Sequence, residues 1–182
     1  MCDAVIEHLD SNNLLWDRQQ GFVQGRSGST QLLACLDIWS RTLDERGSLD
    51  AIYLDFQKAF DTVPHKRLLK KLYGYGIRGD ILTWISDFLK NRRQRVFVNG
   101  QPSGWCPVLS GIPQGSVLGP LLFVVYINDL PDNVSSMVQM FADDTKVFNV
   151  IKCKEDAEKL QSDLREMQRW SECWQLKFNA AK

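Results

Sequence analysis

Apolar side chains recur at three-to-four spacing through residues 27–46, at Leu32, Leu33, Leu36, Trp39 and Leu43, until Arg46-Gly47 interrupts them. That period predicts a helix with one apolar stripe. Residues 51–55 are a short apolar run ending in a carboxylate, the pattern of a buried strand. Pro64 suits the first position of a helix, which Leu68, Leu69, Leu72 and Tyr73 continue until Gly74 and Gly76 break it. A second helix is predicted over 80–90, with Ile81, Leu82, Trp84, Ile85, Phe88 and Leu89 as its stripe.

Farther on, the segments 95–98 and 105–108 flank a turn-rich stretch, 99–104, and predict a hairpin. The polar loop 110–116 leads into a mostly apolar helix over 117–128. Runs at 137–141 and 145–150 bracket Ala142-Asp143-Asp144, a second hairpin with two carboxylates at its tip. Residues 155–174 set Ala157, Leu160, Leu164, Met167 and Trp174 on one helical stripe, and 176–178 follow as a short strand. Helices interleaved with pairs of strands point to an α+β fold rather than a doubly wound parallel sheet. No repeat or linker divides the chain, and the tryptophans Trp84, Trp105, Trp170 and Trp174 are assigned to core packing.

Composition adds limits. At 182 residues, 44% hydrophobic and 24% charged, the chain can bury the core of one globular domain and is not a disordered segment. Its longest apolar run, 121–127, falls far short of the roughly 20 residues of a membrane-spanning helix. Asp3, Glu7, Asp10 and Asp17 make the first twenty residues unlike a secretory leader, so an intracellular protein without membrane contact is expected. Five cysteines without Cys-x-x-Cys spacing, and two histidines not placed to complete a zinc set, are read as reduced thiols without zinc. Formal net charge is zero, yet 66–95 holds Lys66, Arg67, Lys70, Lys71, Arg78, Lys90, Arg92, Arg93 and Arg95 against Asp80 and Asp87 alone. A neutral total thus conceals a basic surface suited to phosphates.

The carboxylates carry the chemistry. Nucleotide polymerisation needs an oxygen nucleophile, a held triphosphate and a stabilised leaving group, which two magnesium ions about 3.5 to 4 Å apart supply. Such ions prefer hard oxygen ligands with positions left open for phosphate. Asp55 at a strand end and Asp143-Asp144 at a hairpin tip meet that need if their strands are neighbours. Taken singly, each is also an ordinary turn or strand terminator.

Three segments together go further. Tyr53-Leu54-Asp55-Phe56-Gln57-Lys58-Ala59-Phe60-Asp61-Thr62-Val63 resembles polymerase motif A, Gly111-Ile112-Pro113-Gln114-Gly115-Ser116-Val117-Leu118-Gly119-Pro120 motif B, and Phe141-Ala142-Asp143-Asp144 motif C of non-LTR (LINE-type, jockey-like) retrotransposon reverse transcriptases, in that order. Upstream, Gly21-Phe22-Val23-Gln24-Gly25-Arg26-Ser27 is similar to the fingers segment, and Trp174 through Lys182 to motif D. The resemblance covers nearly the whole chain. It implies a right-hand polymerase palm over 51–182, an antiparallel sheet with packed helices, preceded by partial fingers over 1–50, with no thumb region.

The resemblance also implies roles. Asp55 and Asp143 would bind both magnesium ions (manganese being the substitute), with the Phe56 carbonyl assisting and Asp144 as a less essential neighbour. Phe60, five residues beyond Asp55, would press on the sugar of the incoming nucleotide and exclude a 2′-hydroxyl; the alternative is a core phenylalanine. Gln114 would lie near nucleotide and template, and Gly115 would allow close backbone approach. Arg26 would contact phosphate, and Lys182 would assist the leaving pyrophosphate. Lys66, Arg67, Lys70, Lys71, Arg92, Arg93 and Arg95 would track a template-primer duplex.

The implied activity is RNA-directed DNA synthesis from deoxynucleoside triphosphates on an RNA template and DNA primer, beside the remaining parts of a retrotransposon polyprotein. Nucleus and cytoplasm are the implied locations. Two readings compete with it. An RNA-dependent RNA polymerase would share the metal chemistry but usually carries an aspartate where Phe60 stands. A catalytically silent element remnant would at most bind nucleic acid.

Overall fold

A computed structural model describes residues 2–180. In chain order the elements are α1 (Cys2–Ser11), α2 (Gly28–Asp44), β1 (Ser48–Leu54), α3 (Ala59–Thr62), α4 (His65–Gly74), α5 (Gly79–Leu89), β2 (Arg93–Gln94), β3 (Phe97–Val98), β4 (Gln101–Pro102), β5 (Cys106–Pro107), α6 (Leu118–Ile127), β6 (Met137–Phe141), β7 (Asp144–Ile151) and α7 (Lys154–Trp174). The α+β expectation holds. Strands β1, β7 and β6 form one antiparallel sheet in that order, and β2–β5 and β3–β4 pair as two small ladders.

Register assigns the sheet's two faces. Ile52, Val147 and Val138 stand in one row, and Leu54, Thr145 and Met140 in the next row on the same side. This face joins the core, where α6 lies with Leu121 through Ile127 all buried. A helix apolar all round has no solvent face and belongs inside. Val5 and Leu9 of α1, an element that the hydrophobic spacing did not reveal, close the same core.

The other face of the sheet is covered by α2, but not by the expected side of that helix. Ser27 and Thr30 form a reciprocal cap at its start. Gln31, Cys35 and Thr42 are the buried positions, and Trp39 meets Phe148 edge-on at 5.8 Å. Leu32, Leu33, Leu36 and Leu43 are exposed. Both sets repeat at the helical period and differ only in phase, so periodicity identified the helix and not its contact face.

Further differences are local. The 95–108 hairpin closes on two residues, Asn99 and Gly100, both at positive φ, with Phe97 opposite Pro102 and Val98 opposite Gln101. A two-residue turn of that hand follows the strand twist, so much of the expected loop is ladder instead. Trp84 and Trp105 are exposed rather than core. Trp84 stacks on Phe88 at the surface.

Lys71 departs most from expectation. Its ammonium is buried, ion-paired with Asp129, bonded to the Tyr126 carbonyl and stacked over Trp174 (3.9 Å), Trp170 (4.6 Å) and Tyr126 (4.9 Å). It ties α4 to α6 and α7 and is not a phosphate contact. Burial pushes its pKa down to about 8, against the pull of Asp129. Between about pH 8 and the ordinary lysine value, the unfolded chain holds a proton that the folded chain has released, so this group's contribution to stability rises with pH. Urea denaturation should therefore show the chain gaining stability relative to Lys71→Met as pH climbs from 7.5 to 9.5. A constant difference would refute the assignment.

Candidate active site

Leu54 ends β1 opposite Thr145, and Phe141 stands opposite Asp144 across the β6–β7 turn. Alternation along these strands sets Asp55 and Asp144 on the face shared with Tyr53 and Lys146. Both carboxylates line a cleft of about 630 Å³ together with Gln31, Leu32, Phe178 and Asn179. Asp143 occupies the turn itself and is half-buried.

The continuation of β1 is held from its outer side. Asn179 donates its backbone N–H to the Asp55 carbonyl at 2.8 Å, and Gln57 donates to the Lys177 carbonyl at 2.8 Å. Phe56 and Phe178 thus form an antiparallel bridge whose hydrogen bonds come from their neighbours. The Phe56 carbonyl is consequently turned away from residues 177–179, toward the side of β7 and the aspartate hairpin. The Asn179 amide also reaches Asp55 Oδ2 at 3.4 Å.

The hairpin tip is fastened from the N-terminal segment. Residues 18–20 run beside β6, with Met140 donating to Arg18 and Gln20 to Met140 at 3.1 and 2.8 Å. Gln19 is buried, and its Oε1 accepts from the N–H of Ala142 (2.9 Å) and of Gly21 (2.8 Å). Ala142 has a left-handed φ of 50°, a conformation that a non-glycine residue keeps only where its surroundings impose it.

The residues expected to face substrate divide. The Phe60 ring stacks on Phe123 at 4.5 Å and meets Phe22 edge-on at 6.4 Å, half-buried between α6 and the N-terminal segment. Gln114 is exposed and donates to Asp61 Oδ1 at 2.8 Å. Gly115 has φ +79, a conformation that favours glycine, and no protein atom within 4 Å of where a Cβ would stand. Within the chain the tight contact is at Gly111, where a Cβ would lie 2.6 Å from the Asp61 carbonyl oxygen. Arg26 spends its Nη1 on the carbonyls of Trp16, Asp17 and Gln19, at 2.7 to 2.9 Å, and so shapes the segment that carries Gln19. Lys182 lies outside the described residues.

Of the basic set, Lys66, Lys70, Arg93 and Arg95 are exposed and available to phosphates. Arg92 is half-buried and bonded to the Leu89 and Gly111 carbonyls, which makes it a brace for the 110–116 loop. Arg67 is half-buried, with its Nε enclosed.

Among the described residues no three His, Cys, Asp or Glu side chains are grouped closely enough to cage an ion by themselves. The donor chemistry available, carboxylates and one directed carbonyl, nevertheless fits magnesium, which keeps several positions for water and phosphate.

Comparison with known proteins decides the family. The model of "Reverse transcriptase (RNA-dependent DNA polymerase)" matches residues 1–182. The chain belongs to the reverse transcriptase family. This reverse transcriptase chain is similar over its whole length, at 32% identity, to the probable RNA-directed DNA polymerase from transposon BS of Drosophila melanogaster. It is also 32% identical over 98% of its length to the RNA-directed DNA polymerase from mobile element jockey of the same organism. These are non-LTR retrotransposon enzymes, and the chain spans 21% of the length of each. Its fold is similar to apo telomerase from Candida tropicalis truncated from its C-terminal domain, with a TM-score of 0.70 at 11% identity, covering 100% of this chain and 38% of that one.

Two residues of this reverse transcriptase chain escaped the motif-based reading. Gln19 lies upstream of every quoted motif, and nothing local distinguishes it from a surface glutamine. Asn179 lies within the motif D resemblance, which singles out the lysine and gives an asparagine no role. No helix among the described residues is long and apolar enough to cross a membrane.

Proposed function

We propose that this domain catalyses RNA-directed addition of deoxynucleotides to a primer 3′-end as part of a non-LTR retrotransposon polyprotein acting in nucleus and cytoplasm. On this reading residues 51–182 are the palm and 1–50 part of the fingers. The observation that carries it is the register that sets Asp55 beside Asp144 at the mouth of one cleft. Asp55, Asp143, Asp144 and the Phe56 carbonyl would hold two magnesium ions, which supply charge to activate the primer hydroxyl and stabilise pyrophosphate.

The chain's own groups do the rest. Gln19 and Gly21 hold the hairpin that presents Asp143, and Asn179 braces Asp55. Phe60, propped between Phe22 and Phe123, sets the sugar-side wall. Gln114, fixed by Asp61, flanks the nucleotide, while exposed Lys66, Lys70, Arg93 and Arg95 receive backbone phosphates.

Single-nucleotide incorporation with paired deoxy- and ribonucleoside triphosphates tests the reading. Phe60→Ala should raise relative ribonucleotide use on the order of ten- to a hundredfold. Because both substrates meet the same variant, any loss of folded protein cancels in the ratio. Failure of the 182-residue chain to incorporate either nucleotide, with magnesium or manganese, would favour a silent remnant.

A further inference from the structure

The exposed Trp105 does not stand alone. Arg95 lies 4.6 Å from the Trp105 ring and 4.7 Å from the Phe97 ring, and Arg93 lies 5.9 Å from Trp105. Arginine and aromatic side chains therefore alternate along the outside of a hairpin whose Phe97 and Trp105 are each more than half exposed. Two features keep this surface rigid. The ladder closes on Asn99-Gly100, and Ser103 exchanges hydrogen bonds with both the N–H and the carbonyl of Val96. No acidic residue occurs between Asp87 and Asp129, so the hairpin's own charges are all positive, with Asp61 in the cleft at its root.

At its root, Arg92 is bonded to the Gly111 carbonyl and Val108 donates to the Arg92 carbonyl at 2.9 Å. A cleft of about 930 Å³ there is lined by Lys58, Asp61, Arg92, Arg93, Gln94 and Gln114. The platform is thus continuous with the loop that carries Gln114.

We infer that the 93–107 hairpin is a stacking platform for single-stranded RNA, on which unpaired template bases rest before reaching the Gln114 loop. Flat aromatic faces flanked by guanidinium groups bind unpaired bases without regard to sequence, because every base offers a π-face and every nucleotide a phosphate. Duplex offers phosphates but hides its faces, so charge alone would bind both forms whereas stacking selects the single strand. The choice of RNA over DNA rests on the templated-synthesis reading; the stacking geometry does not.

The test uses the full 182-residue chain and a fluorescein-labelled oligouridylate of twelve nucleotides, read by anisotropy without nucleotide or magnesium. Trp105→Ala and Phe97→Ala should each weaken binding about tenfold, while Trp105→Phe keeps most of it. A blunt duplex of equal length should lose less than twofold with the same variants. Arg93→Gln with Arg95→Gln should flatten the salt dependence for single strand. All these positions are exposed, and unchanged circular dichroism and melting confirm the fold; were Trp105→Ala to lose its fold, Phe97→Ala decides. Unaltered oligouridylate affinity, equal losses on duplex, or a concentration-dependent self-association abolished by Trp105→Ala would overturn the inference. Binding through Trp105 by a chain that never extends a primer upholds it while the catalytic reading fails. Extension indifferent to Trp105, with oligouridylate affinity unaltered, does the reverse.

Discussion

Replacing Gly21 with alanine is expected to unseat the aspartate hairpin and abolish nearly all nucleotide incorporation. A Cβ at position 21 would stand 2.2 Å from the Ala142 nitrogen, 2.9 Å from the Phe141 carbonyl carbon and 3.0 Å from the Ala142 Cα. All three are backbone atoms, which have no rotamer to yield. Either the 18–22 segment retreats or the turn carrying Asp143 moves. Retreat breaks the bond from the Ala142 N–H to Gln19 and leaves that buried N–H unpaired, at roughly 1–3 kcal/mol. Movement of the tip by about 1 Å is of the size that costs catalysis about a hundredfold. Overpacking of this kind destabilises by about 3 kcal/mol, or roughly 6 to 12 °C in melting temperature for a chain of this size. Gly74→Ala is the matched control, since nothing lies within 4 Å of a Cβ built there; at a helix end it should change melting by a degree or two. If Gly21→Ala melts like Gly74→Ala and hydrogen exchange at Ala142 is unaltered, the tight apposition of these segments is wrong.

Why Gln19 and Gly21 matter was invisible in the sequence, although the aspartates they support were not. Asp55 and Asp143-Asp144 were legible because short apolar runs end at them, and turn chemistry is local: strand, carboxylate and hairpin tip fall within a few residues of one another. The same held for α4, α5 and α7, whose stripes and breakers coincide in sequence. What failed were particular statements of which face packs and which side chain is buried. The leucines of α2 have a correct helical repeat yet point outward, because the sheet meets the adjoining arc of the helix. Lys71 sits in a basic run yet is enclosed by Tyr126, Trp170 and Trp174, which come from elements 55 residues and more downstream. Trp105 follows a glycine in a mostly apolar stretch, but two-residue ladders have no second layer to bury it. Long-range apposition is set by tertiary packing, and a local pattern carries no record of it. The motif resemblance joined Asp55 to Asp143-Asp144, and the strands that carry them are neighbours, because it supplied that long-range information from outside the chain.

The second large effect concerns the carboxylates themselves, and its pattern is more informative than its size. Asp143→Asn or Asp55→Asn preserves shape but removes one negative charge and replaces one of the two acceptor oxygens with an NH2 donor that cannot ligate a hard cation. If both side chains hold the same ions, each substitution alone should lower single-turnover incorporation by at least about a thousandfold, the upper range for loss of one electrostatic contact to the transition state. The double variant should then lose little more than either single one, as residues acting as one unit do. Asp144, exposed beside them, should give a smaller loss that higher magnesium or manganese partly restores. Asn179→Ala should resemble a weak form of Asp55→Asn, with the magnesium requirement raised, because its amide reaches Asp55 Oδ2. The alternative, in which the aspartates merely terminate strands and turn the chain, predicts a different order: losses that follow melting temperature, add in the double variant, and respond to no metal. Titrating magnesium and manganese across these variants, with melting measured on the same samples, separates the two.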